Sequence, residues 1–300
     1  MSLELPMPPP PPPPPPGLPL PAVSGSKKKL YQAIAAGKSA IEGHHAEARL
    51  LLSRRESCFR KDLQWILFNK YVPSLIQDGP QCGLVALWMA AHLKQPELSI
   101  NMETIVQTAL SRGYTVQGEM FSAHNMALLA EEVCACKAQL LMGGMSGDNA
   151  ATIIAHICDG QPILIPYDED FNHEPCQRSG HRAHWAAVSG VLLGLNQESL
   201  SKEHIQFDLT LPWLYLPKDT SPPFRFPTSS IREAYVLAKQ GKSLRYQLWC
   251  LDSVAQSNDQ LREMDPHRAG DGTQYVVPQG GVEAGLAGQV VLLHTKTHIS

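Results

Sequence analysis

The stretch Gln77-Asp-Gly-Pro-Gln-Cys82-Gly-Leu-Val-Ala-Leu87 decides how the rest of the chain is read. A Gly-Pro turn runs into an apolar segment. Leu84, Leu87, Trp88 and Ala91 recur there at i, i+3, i+4 and i+7, the spacing of one helix face. The spacing predicts a helix from Cys82 to about Leu93, with Cys82 in its first turn. Unpaired N–H groups and the positive end of the helix dipole sit at that position, and both favour a thiolate. Cys82 is therefore a candidate nucleophile; the competing reading is a small core residue, common for Cys. Gly83 is expected to let a substrate backbone come close. Gln77, five residues upstream, can place its amide beside the sulfur. With the Cys82 N–H it would form an oxyanion hole for acyl transfer.

A thiol nucleophile needs a base, and the base needs an orienting acceptor. His184 opens the apolar run His184-Trp-Ala-Ala-Val-Ser-Gly-Val-Leu-Leu193, which reads as a strand, and is the best candidate base. His156, inside an expected helix, and His173 and His181, in a polar loop, are weaker. Asp252 follows an expected strand at Tyr246–Leu251 and is the candidate acceptor, although locally it reads as well as a turn or cap residue.

The remaining elements change period along the chain. Asn101 caps an expected helix to about Arg112, Ser122 another through Val133, and Asp148 a third over Ala150–Cys158, ended by Gly160. Strands are expected at Gln161–Pro166, Tyr246–Leu251, Gln274–Val277 and Gln289–Leu293. Residues 196–230, polar and Pro-rich, read as a surface insertion. Helices first and strands later imply an α+β fold with helices packed on an antiparallel sheet. The folded domain is placed at 61–300.

Ahead of it, residues 1–26 contain the block Pro8–Pro16 followed by Gly17-Leu-Pro-Leu-Pro21. Proline fixes φ and lacks an N–H, so this tail is expected to be disordered and locally polyproline II. It is either a stiff spacer or a ligand for an aromatic groove. The Leu residues among long prolines lean towards profilin as the partner. Residues 27–60, opened by Lys27, Lys28 and Lys29, read as a polar, partly helical linker.

Composition excludes several classes. Lys plus Arg number 25 against 28 for Asp plus Glu, a net charge of −3, without the basic surplus of a nucleic-acid binder. No apolar run approaches a membrane span, and the N-terminus has no basic n-region of a secretory signal. Seven Cys at scattered spacing give no disulfide framework. A cytoplasmic protein with reduced thiols is expected.

Gln77, then Cys82-Gly83 opening an apolar helix, then His184-Trp-x-x-Val-x-Gly190 on a later strand, resembles the papain-like cysteine peptidases, nearest the bacteriocin-processing type. The resemblance spans roughly residues 65–295. It implies a papain-like fold, a triad of Cys82, His184 and Asp252, and Gln77 in the oxyanion hole, with no metal or cofactor. Gly79–Ala90, His184–Gly190, Lys239-Gln-Gly-Lys-Ser243 and Tyr275–Val282, with the proline block, further resemble a branch of these peptidases that processes actin. That likeness implies actin as substrate, removal of an N-acetylated Met or Cys from its immature N-terminus, and profilin as the partner of the Pro8–Pro16 tail. Two alternatives stand beside it. One is a polyproline-bearing adaptor on an inactive scaffold. The other is a zinc protein using His173, Cys176, His181 and His184, whose spacing is that of zinc ligands.

Overall fold

The structure is a computed structural model that describes residues 45–94, 100–196, 203–218 and 226–294. The Pro8–Pro16 tail, the Lys triplet and the rest of the 27–60 linker up to residue 44 lie outside the described residues, as does the segment after His294. The expected α+β class is what the chain adopts. In order the elements are α1 (Ala46–Arg54), β1 (Gln64–Asn69), α2 (Cys82–Lys94), α3 (Met102–Ser111), α4 (Ala123–Val133), β2 (Lys137–Met142) and α5 (Asp148–Cys158). Then come β3 (Ile163–Glu169), β4 (Pro175–Cys176), β5 (Ala183–Leu195), β6 (Ile205–Phe207), β7 (Leu214–Pro217), β8 (Ile231–Gln240) and β9 (Gln247–Cys250). The chain closes with α6 (Leu251–Asp259), α7 (Pro266–Ala269), α8 (Gly281–Leu286) and β10 (Gln289–His294).

The caps act as the sequence implies. Asn101 accepts the Glu103 N–H at 2.9 Å and Ser122 accepts that of Asn125 at 3.1 Å, each satisfying a donor the first helical turn leaves unpaired. Asp148 lies inside the first turn of α5 rather than capping it; Gly147, at φ 58°, takes the cap position.

One sheet carries the fold, in the order β2-β10-β3-β5-β1-β7-β6. Its pairings are antiparallel except β1 with β7. β5 is the spine. β8 pairs with it from Ala186 to Leu195, along one edge. A strand has only two edges, so β3 (opposite 183–188) and β1 (opposite 190–195) follow one another along the other. Every residue from His184 to Leu195 is buried, because both sheet faces are covered. Leu164, Trp185, Ala187, Val291 and Leu293 face α2 and α4. Ile163, Ile165, Ala186, Val188 and Val290 face α5 and α6. The alternation is the period-two pleat of a strand read against two helical layers.

Three expectations change. Residues 196–230 are more than a surface insertion: β6 and β7 extend the sheet, and Ile205, Leu211, Leu214 and Leu216 are buried. The described end of the 27–60 segment is helical, but α1 belongs to the core through Ala48 and Leu52, which pack with Trp65 and Leu67. Gln274–Val277 is extended but joins no strand; the Val276 N–H points to the Glu119 carboxylate at 3.5 Å.

Candidate active site

α2 starts at Cys82, as the spacing predicts, and its apolar length packs against β5. Gly83 does not face substrate. A methyl group there would lie 2.8 Å from the Met126 side chain and 3.0 Å from Met120, so its bareness lets the first turn of α2 seat against the Met120 segment. Trp185 fixes the same corner twice. Its indole N–H donates to the Met120 carbonyl at 2.8 Å, and its backbone N–H lies near enough to the Cys82 sulfur to favour the thiolate. The residue adjoining His184 therefore lies beside the candidate nucleophile.

Cys82, His184 and Gln77 line one cavity of about 510 Å³. Its apolar wall is Met120, Phe121, Trp185 and Leu286; Lys242, Arg182 and Arg268 bring positive charge, and Glu119, Glu169, Asp265 and Asp271 negative. Gln77 is held by its own N–H on the Gly241 carbonyl and by its side-chain amide on Gly79 O, both at 2.7 Å. A methyl group on Gly241 would sit 2.6 Å from Gln77 Oε1, so only glycine lets the 240–243 turn approach the Gln77 loop this closely. One of the two amide hydrogens of Gln77 remains for another acceptor.

Asp252 is not brought to this cavity. β9 ends at Cys250 and the chain turns straight into α6, leaving Asp252 exposed in its first turn, where an acidic side chain complements the helix dipole. It lines a separate cavity with Cys58, Asp148 and Glu233. The side chain beside His184 is instead Gln240, fully buried at the end of β8 and near enough to favour the protonated imidazole. Gln240 Oε1 also accepts the Lys242 N–H at 2.6 Å. His184 Nε2 is buried without a hydrogen-bond partner among the described residues. The ring meets Tyr167 edge-on at 5.8 Å between centroids, across the register pair Tyr167–His184.

The four residues spaced like zinc ligands do not converge. His173 Nδ1 bonds Glu169 at 2.9 Å, His181 bonds Glu263 at 3.2 Å, Cys176 lies on β4, and His184 faces Gln240. Among the described residues no three His, Cys, Asp or Glu form a group fit to hold a metal ion.

Burial governs the titration of the site. It pushes the Cys82 thiol up, partly offset by the Trp185 N–H, Lys242 and Arg268. The helix N-terminus alone therefore does not give the lowered thiol the sequence suggests. Burial also pushes His184 down to about 4, against the pull of the Glu169 charge and of Gln240. For Glu169, burial works upward, but His184, Lys242 and His173 outweigh it and hold the carboxyl below its usual range. At neutral pH the thiol and the imidazole that line the cavity are both held neutral.

A depressed histidine makes stability acid-sensitive. The unfolded chain takes up the proton near pH 6.5 and the folded one only near 4. The contribution is thus complete above 6.5 and disappears as pH falls to about 4, in total roughly 3 kcal/mol. Urea unfolding at pH 7 and pH 4.5 is expected to show a smaller acid loss in His184→Gln than in the wild type; equal losses would place the acid sensitivity elsewhere.

Comparison with known proteins fits this geometry. A family described as "Actin maturation protease-like, C-terminal domain" matches residues 72–192, from just before Gln77 to near the end of β5. The protein named actin maturation protease in Danio rerio is 64% identical over 272 residues, covering 91% of this chain and 88% of its own. Its Xenopus tropicalis namesake is 52% identical (90% and 87% covered), and the Homo sapiens one 51% (82% and 71%). A solved structure of a putative C39-like peptidase from Bacillus anthracis aligns with 73% of this chain and 90% of its own at 10% identity; its TM-score of 0.33 is too low to argue from. No helix among the described residues is long and apolar enough to cross a membrane. Identity at this level, over most of the chain and of each relative, means that the chain belongs to the actin maturation protease family.

Proposed function

We propose that this chain is a cysteine peptidase that removes an N-acetylated Met or Cys from the immature N-terminus of actin. The observation that carries the reading is the shared cavity: Cys82 opening α2, His184 opening β5, and Gln77 beside them. The relatives' name supplies actin as the substrate. Met120, Trp185 and Leu286 offer the apolar surface that a Met or Cys side chain needs.

His184 takes the thiol proton as the Cys82 sulfur attacks the carbonyl of the acetylated residue. The oxyanion is met by the Cys82 N–H and the free amide hydrogen of Gln77. His184 returns the proton to the departing amine, which is the new actin N-terminus. Water then cleaves the thioester and releases the acetylated amino acid. The neutral resting pair suits this order, since charge separates only as substrate reacts. In the cytoplasm, Pro8–Pro16 and the following Leu/Pro segment would dock on profilin. Binding of actin carried by profilin then becomes near-intramolecular, at effective concentrations of roughly millimolar.

Incubation of purified actin bearing an acetylated N-terminal Met or Cys, followed by intact mass spectrometry, tests the reading. Loss of that one acetylated residue is expected; an unchanged mass would reject it.

Gln240, rather than Asp252, is assigned as the residue that positions His184. Gln240→Ala is expected to lower kcat by about 10- to 100-fold, on the scale of a misplaced catalytic group. Gln240 favours the protonated ring, so on its loss the acid limb of the kcat/KM profile should move to lower pH. A purely structural loss would leave that limb in place. Asp252→Ala, in the other cavity, is expected to remain near wild type. The reverse ranking would return Asp252 to the site.

A further inference from the structure

The charges around the cavity are not equally committed. All four carboxylates have donors. Glu119 accepts the Val116 and Gln117 N–H groups and the Thr115 hydroxyl. Glu169 is engaged by Lys242, Arg182 and His173. Asp265 caps α7 through the His267 N–H, and Asp271 accepts the Tyr275 hydroxyl at 2.6 Å and the Thr273 N–H at 2.7 Å. Of the cations, Lys242 and Arg182 share Glu169. Arg268 is different. Its guanidinium lies 5.7 Å from the Phe121 ring centre and 5.6 Å from that of Tyr275, and it makes no ion pair with the described residues.

Phe121 and Tyr275 are themselves set edge to face, 6.0 Å apart at 86°, so the shelf under Arg268 is a fixed one. The two rings brace the guanidinium and leave its N–H groups without an ion-pair partner among the described residues. A half-buried fork of that kind matches a carboxylate bidentately. It is also close enough to Cys82 to draw the thiol down.

We infer that Arg268, braced on Phe121 and Tyr275, binds the acidic side chain of the substrate residue that follows the scissile bond. The inference rests on the peptidase reading above, in which the residue removed is apolar and takes the Met120–Leu286 wall. The acidic group then belongs to the part of the substrate that leaves with a new N-terminus.

Acetyl-Met peptides with Asp, Asn or Lys in the second position, otherwise identical, test this. For the wild type, kcat/KM is expected to favour Asp over Asn by about 10- to 100-fold, the range of a charge-assisted hydrogen bond. The preference should shrink as salt rises. Arg268→Gln should bring the Asp-to-Asn ratio close to one, and Arg268→Glu should turn the preference towards Lys. An Arg268→Gln enzyme that loses the Asp and Asn peptides by the same factor would overturn the subsite and leave Arg268 as a general contributor to the field at Cys82.

Binding of the same peptides to Cys82→Ala protein, with and without Arg268→Gln, separates this inference from the reading it rests on. Arg268-dependent binding of the Asp peptide without cleavage by the wild type would keep the carboxylate site and reject the actin reaction. Binding indifferent to both the peptide charge and Arg268 would reject the site.

Discussion

Cys82→Ala protein is expected to leave the acetylated N-terminus of actin untouched while keeping its fold. Removing a nucleophile that acts as one unit with its base costs roughly 10⁴- to 10⁶-fold in turnover, which takes a slow protease below detection. The structural cost should be small. Cys82 is already buried in a cluster of Leu, Ala and Met side chains, and alanine retains its Cβ there. Circular dichroism and the thermal midpoint should change little. Retained cleavage by a correctly folded Cys82→Ala enzyme would remove the nucleophile assignment and the mechanism with it.

The largest stability effect is expected far from the sulfur. Lys239 is fully buried in β8, and its ammonium is held by Glu47 at 2.9 Å, by the Val72 carbonyl at 2.9 Å and by Ser74 Oγ at 3.0 Å. Tyr71 and Tyr246 present their ring faces to it at 4.7 and 4.3 Å. Glu47 is the only carboxylate among these partners, and its other oxygen accepts the Tyr246 N–H at 2.9 Å. Glu47→Ala takes from a buried cation the carboxylate that holds it at 2.9 Å, a change worth about 3 kcal/mol. For a domain of this size that lowers Tm by roughly 6 to 12 °C. The double variant Glu47→Leu/Lys239→Met should recover most of the loss, because the penalty lies in the unmatched charge rather than in a missing contact. A Glu47→Ala protein as stable as the wild type would show that the carbonyl and the rings suffice. The same contact means that a protein started at residue 61, where composition suggests the domain begins, lacks both the carboxylate and the Ala48–Leu52 packing and is expected to fold poorly.

Helix α2 and strand β5 were legible because their residues agree at every level: apolar period, turn chemistry before them, and burial after folding. α3 and α4 were legible from Asn101 and Ser122, whose caps are local interactions. β8 was not. Ile231-Arg-Glu-Ala-Tyr-Val-Leu-Ala-Lys-Gln240 carries charge at both ends, and nothing in that window announces that Glu47, nearly two hundred residues earlier, makes Lys239 burial tolerable. Asp252 misled for a related reason. An acid after an apolar run reads the same whether the chain stays extended or turns into a helix, and here it turns. Gln240 gave no signal, since a glutamine next to a lysine looks like surface until the β8–β5 register brings it near His184. Arg268 was invisible on similar grounds: its two aromatic supports come from segments about 147 and 7 positions away. The sulfur's titration was misjudged because the helix end is local and the burial around it is not.

The position of α1 has a mechanical consequence. Among the described residues, the chain enters the folded body through this one short helix. The helix is anchored by Glu47 to Lys239, the immediate neighbour of the glutamine beside His184. Tension drawn on the N-terminal segment by a bound partner would therefore not dissipate in a remote corner. It would arrive at β8, one residue from the histidine's support, making the point of attachment a strain gauge for the site it serves.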